Sequence, residues 1–535
     1  MDKKDIIVLA ALFLLSFFVW TLPIQQNFLP FGEGDGAYHY SYNEYMSYAD
    51  RTMTLLPDYI HLWYYGYNKM VLGSPEYPPS NHVAAAIVQV FGGGIVPVFI
   101  FYALTSSFGA LAVYFLMRKL FGFFPAVLSS FLMVFSNREI LLYLFGQRPT
   151  ITAFVVMPVL VYAYHKYFSS LFGKPETKYL YVSVLILAAQ FLLHIQGLLV
   201  SVFVLGAYSV LMVLKRKKLP KLQFKHLGIG FLVIVLLCAW FLPVYLGESE
   251  GQRDSGAVKD FSKLFKWGVS PEDVAGAFPA SFVAFSSQYG SAWAAVLILL
   301  GILYLFFKRD DSAVVLLGWL AALYLLFHLD FFAGVYVSRI ARMLIAEPPL
   351  FFSLMSLGAF SAVRFIKMKA EARTLVNFAL LSAFIVLFWF LVAAPQYESL
   401  KYAYSGPLRM TAPQESVAVW MSVNLPENAF VYTLGTATYP KARWMLALSH
   451  RYVDRFNWRI EDGFIVVSDS FWSVLPEKNL SYYFLFDYSD AAALNADASS
   501  IHQFEQAYFG NKTPVYDKNN VRVHYFGDNK LKIGQ

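Results

Sequence analysis

The sequence predicts a polytopic α-helical membrane protein of about eleven spans, followed by a C-terminal α/β domain outside the membrane. Three observations carry that expectation. The 535 residues are 58% apolar and 14% charged, against roughly 45–50% and about 25% in soluble domains. Apolar runs near the bilayer-crossing length of about 20 residues recur along the chain. Beyond residue 394 the composition turns soluble, and short β-type runs alternate with helical ones.

The expected spans are 5–24, 95–117, 122–137, 151–168, 178–193, 197–214, 227–246, 291–307, 312–329, 342–363 and 374–394. No small-x-small cleavage site follows the first of them, so it reads as a retained helix rather than a signal peptide. Basic residues set the orientation. With Lys3 and Lys4 inside, the chain returns to the inside at Arg118 and Lys119, at Lys166 to Lys178, and at Lys215 to Lys225. It returns again at Lys308 and Arg309, and at Arg364 to Arg373. The net charge of +7 comes largely from these loops and does not argue for nucleic acid. The single cysteine, Cys238, lies in an apolar run and allows no internal disulfide.

On this topology the membrane unit is 1–394, with a long first external loop at 25–94, and the soluble extracytoplasmic unit is 395–535. The first loop opens with F-G-E-G-D-G-A-Y-H-Y, Phe31 to Tyr40, and continues through Trp63 to Tyr67 and Tyr77 to His82. Its last part, Val83 to Phe91, is too short to span and reads as lying along the membrane. The second loop carries N-R-E and G-Q-R-P, and the third is a tight turn with His194 and Gln196. The fifth contains Phe332 to Val335, then Arg339 and Arg342, then E-P-P, which should kink or unwind the next helix. In the tail, strands are expected at Phe430 to Thr433, Phe464 to Ser468, Tyr482 to Phe486 and Val521 to Tyr525. Helices are expected at Glu415 to Val423, Ala442 to Ser449 and Ile501 to Ala507.

Polar chemistry gathers on the outer face. Glu33 and Asp35 stand one residue apart between glycines, which let a loop turn both carboxylates toward one spot. Asp35 can serve as a general base or a metal ligand, and His39 lies about one helical turn on. The alternative is a solvated juxtamembrane loop. Tyr38, Tyr77 and His194 are candidates for the lining of a cleft. Arg339 and Arg342, three apart, share a face if helical, and with Arg148 they suit a phosphate or pyrophosphate. The competing reading for each arginine is interfacial snorkelling or lipid headgroup contact. No zinc-protease, phosphate-loop, dinucleotide or paired-cysteine motif occurs.

This order of features resembles the GT-C membrane glycosyltransferases, with the layout of the oligosaccharyltransferase catalytic subunit and its archaeal relatives. The resemblance rests on Asp35 after the first span, then Trp63 to Tyr67, Tyr77-Pro78, the F-A-G-V segment with its arginines, and Trp420 to Asn424 before a strand. It implies an inverting transfer of a sugar from a polyprenyl-phosphate donor to a glycan, lipid or protein acceptor. In that scheme Asp35 is the base and the arginines hold the donor phosphate. Two features depart from the oligosaccharyltransferase pattern. Y-T-L-G-T, Tyr432 to Thr436, replaces the W-W-D-Y-G motif that reads the acceptor, and G-Q-R-P stands where an acid pair would hold the metal. The expectation is therefore a metal-independent enzyme, with magnesium or manganese as the alternative. An oligosaccharyltransferase proper, or a non-catalytic lipid-linked-sugar binder or transporter, are the competing functions.

Overall fold

The computed structural model describes residues 2–32, 34–47, 78, 80–92, 94–239, 284–290, 292–329, 344–366, 368–405, 409–436, 439–455, 458–461, 464–467, 481–490 and 498–527. The N-terminal part of the chain begins with α1 (Lys3–Gln26), α2 (Gly34–Ser47), α3 (Ser80–Gly92) and α4 (Val96–Leu120). It continues with α5 (Phe123–Val134), α6 (Asn137–Leu144), α7 (Arg148–Val155), α8 (Met157–Ser170), α9 (Thr177–Leu193), α10 (Ile195–Arg216) and α11 (Phe224–Cys238). After α12 (Phe285–Tyr289) come α13 (Trp293–Lys308), α14 (Asp311–Phe327), α15 (Glu347–Phe365), α16 (Ala370–Phe388) and α17 (Ala394–Ser405).

Among the described residues, seven helical stretches are long and apolar enough to cross a membrane, and four shorter apolar helices accompany them. The chain is a multi-pass integral membrane protein. Close helix contacts depend on small residues, as in bilayer bundles generally. A Cβ on Gly358 of α15 would lie 2.0 Å from the Leu297 carbonyl oxygen of α13. One on Gly301 would lie 2.1 Å from the Leu354 oxygen, so these two helices touch backbone to backbone.

The basic helix ends share one end of the bundle. Arg118 closing α4 meets Asp5 opening α1 at 2.7 Å, and Lys308 closing α13 reaches the Leu120 carbonyl at 3.4 Å. Lys215 and Arg216 closing α10 both reach Asp311 opening α14, the lysine at 2.6 Å. The opposite end meets the tail, where Met410 donates to the Pro30 carbonyl at 3.0 Å and Phe31 pairs with Arg409 as an isolated antiparallel bridge.

The tail holds α18 (Ala412–Asn424), β1 (Ala429–Leu434), α19 (Tyr439–Ser449), β2 (Tyr452–Arg455), β3 (Trp458–Glu461), β4 (Phe464–Val467), β5 (Ser481–Asp487), α20 (Ala498–Phe509), β6 (Tyr516–Lys518) and β7 (Val521–Gly527). The five-stranded sheet runs β2-β1-β5-β7-β6. β1 is parallel to both neighbours, while β7 is antiparallel to β5 and β6. β1 is buried along its whole length, as its near-continuous apolar sequence requires of a central parallel strand. Beyond the ends of β1 and β5, Gln414 donates to Asp487 at 2.7 Å and to Asp490 at 3.0 Å, and Lys441 pairs with Asp490 at 2.9 Å. Burial pushes the Asp487 carboxyl above its ordinary range, against the hydrogen bonds from Ser489 and Gln414.

One expectation changes. The F-G-E-G-D-G stretch is not all loop, since Asp35 sits in the first turn of α2. Glycine and tyrosine are modest helix formers, but this helix is enclosed by its surroundings, with residues 36–43 all buried. E-P-P stands where a 3-10 turn, Leu344–Ala346, gives way to α15, with its prolines in the first turn where they lose no hydrogen bond, and residues 330–343 before that turn lie outside those described. The stretch read as lying along the membrane forms α3, with Ile87, Val90 and Phe91 exposed.

Candidate active site

Asp35 stands where three parts of the chain converge. α2 presents it half-buried, and the α6–α7 turn brings Gln147 to it, with the amide Nε2 donating to Asp35 Oδ2. That turn lies against α2 because residue 146 is glycine. Its φ is +76°, and a Cβ there would fall 2.1 Å from the Gly36 nitrogen. Any side chain would push the turn off the carboxylate. From the tail, Trp444 of α19 donates its indole N–H to the Gly32 carbonyl at 3.0 Å.

Arg148 follows Gln147 and is 1% exposed. Its guanidinium lies over the rings of Phe99 at 4.5 Å, Tyr102 at 4.9 Å, Tyr143 at 5.6 Å and Phe31 at 5.8 Å. Among the described residues, none of its three side-chain nitrogens has a hydrogen-bond acceptor. Cation–π attraction, about 2 kcal/mol or more per desolvated contact, offsets part of the cost of burying such a charge. The arginine is therefore sealed among aromatics beside the Asp35 turn rather than snorkelling at the surface.

His39 is buried one turn beyond Asp35. Its Nδ1 lies 2.8 Å from His82 Nε2, and His82 Nδ1 lies 3.3 Å from the Pro78 carbonyl. If His82 donates to Pro78, its Nε2 accepts, and His39 Nδ1 must be the donor of the pair. Tyr38 is buried beside His39, their ring centroids 5.0 Å apart. The structure thus brings Asp35, His39, Tyr38 and Arg148 into one neighbourhood. His194 serves another place, the α9–α10 junction, where it caps α10 by accepting from the Gln196 N–H at 3.2 Å. Glu33, Tyr77, Arg339 and Arg342 lie outside the described residues, as do Trp63 to Tyr67 and Phe332 to Val335.

A second polar cluster was not anticipated. Arg138 pairs with Glu347 at 2.9 Å, and Tyr289 donates to the same carboxylate at 2.8 Å. Gln288 joins the cluster by accepting from the Arg138 backbone N–H at 2.9 Å. The N-R-E motif was visible in sequence, but its partner lies more than two hundred residues away, with no local signal to connect them.

The Gln147 side chain offers Asp35 an amide N–H rather than a second carboxylate. Among the described residues no group of three histidine, cysteine, aspartate or glutamate side chains is gathered to hold a metal ion.

A family model described as dolichyl-phosphate-mannose-protein mannosyltransferase matches residues 76–242. Among solved structures, the chain is similar to ArnT from Cupriavidus metallidurans in the apo state. Identity is 13%, each chain is covered to 97%, and the TM-score is 0.56. It is also similar to the Archaeoglobus fulgidus oligosaccharyltransferase in complex with Zn and sulfate, at 15% identity and a TM-score of 0.54, covering 93% of this chain and 71% of that one. The chain has the GT-C fold. It spans 64% of the length of the archaeal enzyme's apo form. A comparison with curated protein sequences gives no match. The GT-C layout read from the order of motifs therefore holds. Asp35 lies before the segment that the family model matches, on the first helix after the first span.

Proposed function

We propose that the chain is an integral-membrane glycosyltransferase that moves a sugar from a polyprenyl-phosphate donor to an acceptor on the outer face. The observation that carries this reading is Asp35 itself. It is a half-buried carboxylate on the first turn of α2, held by Gln147 where the bundle meets the tail. The GT-C fold adds weight, and so do its similar structures. ArnT has been solved with undecaprenyl phosphate, and the archaeal oligosaccharyltransferase with a dolichol-phosphate.

In this scheme Gln147 occupies one carboxylate oxygen and orients the group. The other oxygen accepts the proton of an acceptor hydroxyl. The freed oxygen pair forms the new bond at the anomeric carbon as the bond to the donor phosphate breaks, and the polyprenyl phosphate leaves with that bonding pair. Attack from the opposite face inverts the configuration. Arg339 and Arg342 are assigned to the departing phosphate, and Tyr38 and Tyr77 to the cleft. Tyr432 to Leu434 end buried β1, and Y-T-L-G-T presents no W-W-D-Y-G signature, so transfer to a glycan or lipid is favoured over protein N-glycosylation.

The test incubates purified protein with a panel of labelled polyprenyl-phosphate sugars and with sugar, lipid and peptide acceptors. Transfer from one donor class supports the proposal. Binding of a donor without turnover under any acceptor would instead favour the non-catalytic reading. EDTA is expected to leave turnover within about twofold. A loss that manganese or magnesium restores would make Glu33 and Asp35 metal ligands instead.

The same proposal places 1–394 in the membrane and 395–535 outside it, with the basic end of the bundle inside. In a Cys238→Ser background, a membrane-impermeant thiol reagent should label Lys512→Cys in intact cells and spare Lys217→Cys. Both positions are exposed, so accessibility differs only through the membrane. Labelling of Lys217→Cys alone would reverse the topology.

A further inference from the structure

We infer that Trp444, on the tail, is a positioning residue that sets the Asp35 turn for the proposed chemistry, an inference that rests on that proposal. Residues 31–36 carry three glycines and cannot fix their own path. On one side they lie against the α6–α7 turn, with Gly32 against the Leu144 carbonyl and Gly36 against Gly146. On the other side they meet the tail.

The tail grips this segment at its start. Met410 donates to the Pro30 carbonyl, and Arg409 bridges to Phe31 with its guanidinium 5.6 Å from that ring. Trp444 covers the stretch that holds the carboxylate. It is fully buried, bonds to Gly32 on one side of Asp35, and has Cζ2 3.3 Å from where a Cβ on Gly36 would lie on the other. Its ring also meets Tyr40 at 6.0 Å and Phe99 of α4 at 6.1 Å. Beyond it, His450 pairs with Glu44 at 2.9 Å and keeps α19 alongside α2. A side chain some four hundred residues from Asp35 thus closes the second wall of its turn.

A positioning role differs from simple core packing in what it costs. Displacing a reacting group by about 1 Å can cost on the order of 10²-fold in rate. Donor affinity should be spared, because neither substitution removes a group assigned to the donor phosphate. Trp444→Phe keeps a ring but deletes the N–H. Gly36→Ala presses on the ring from the other side. Each is expected to lower kcat by about 10- to 100-fold, with donor KM within about twofold and the detergent melting temperature unchanged. Combining them should cost much less than the product of the single losses, because both disturb one contact. Trp444→Ala should be worse and can fail to fold, so Trp444→Phe and Gly36→Ala carry the test. An unchanged kcat in both, or a loss that appears only with a lowered melting temperature or a raised KM, overturns the inference. Wild-type turnover in Asp35→Asn would sink the functional proposal itself. An inactive Asp35→Asn beside a fully active Trp444→Phe and Gly36→Ala sinks only this inference.

Discussion

Asp35→Asn is expected to lower turnover by about 10²–10⁴-fold, the usual worth of a positioned proton transfer. The substitution keeps the shape of the side chain and removes its basicity. Asparagine can still accept from Gln147 through its carbonyl oxygen, so the α6–α7 turn stays in place. Asparagine is also tolerated at the start of a helix, and Asp35 lies in the first turn of α2, so the fold should hold. Donor affinity should change little, because the substitution removes no group assigned to the phosphate. Glu33→Gln should cost far less if Glu33 is only a neighbour. The measurement is steady-state kinetics of both variants with donor binding measured in parallel. Wild-type turnover in Asp35→Asn would put the base elsewhere.

Much of this arrangement was legible before the fold was known, and the reason is physical. Span-length apolar runs and basic loop ends are local signals, and the observed apolar helices fall on the expected runs. The tail's stronger strands and helices were legible for the same reason. β2, β3 and β6 were not, since Y-V-D-R, W-R-I-E and Y-D-K are short and polar and exist only by pairing. Asp35 stood out because carboxylates are expensive near a membrane. Its helix was hidden because glycine-rich sequence reads as loop, while tertiary enclosure makes it helical. Arg148 was legible as a charge but not as a buried one. Its cage is assembled from Phe31, Phe99, Tyr102 and Tyr143, which lie on three separate stretches of chain. Trp444 carried no signal at all, because an aromatic residue in a helix reads as ordinary core.

The largest stability effect is expected at Glu347. Its carboxylate and the Arg138 guanidinium are 1% and 3% exposed and 2.9 Å apart. Glu347→Ala removes the carboxylate bonded to that buried guanidinium, a loss typically worth about 3–5 kcal/mol. It also strips the acceptor from Tyr289 and a negative charge from the first turn of α15, where the helix dipole favours one. The melting temperature in detergent should fall by several degrees, and Glu347→Gln, which keeps the hydrogen bonds, should fall less. Charge balance rather than packing is the cause, so the double variant Arg138→Met with Glu347→Leu should recover most of the loss. Under the proposed function the pair also bears on donor binding. Arg138 donates to the Leu344 carbonyl at 3.4 Å, and residues 344–347 directly follow the stretch that carries Arg339 and Arg342. Glu347→Ala should therefore raise the donor KM as well as lower the melting temperature. A variant that melts like the wild type would show that water or a relaxed backbone replaces the lost charge. A double variant no better than Glu347→Ala would show that shape, not the ion pair, holds α6 to α15.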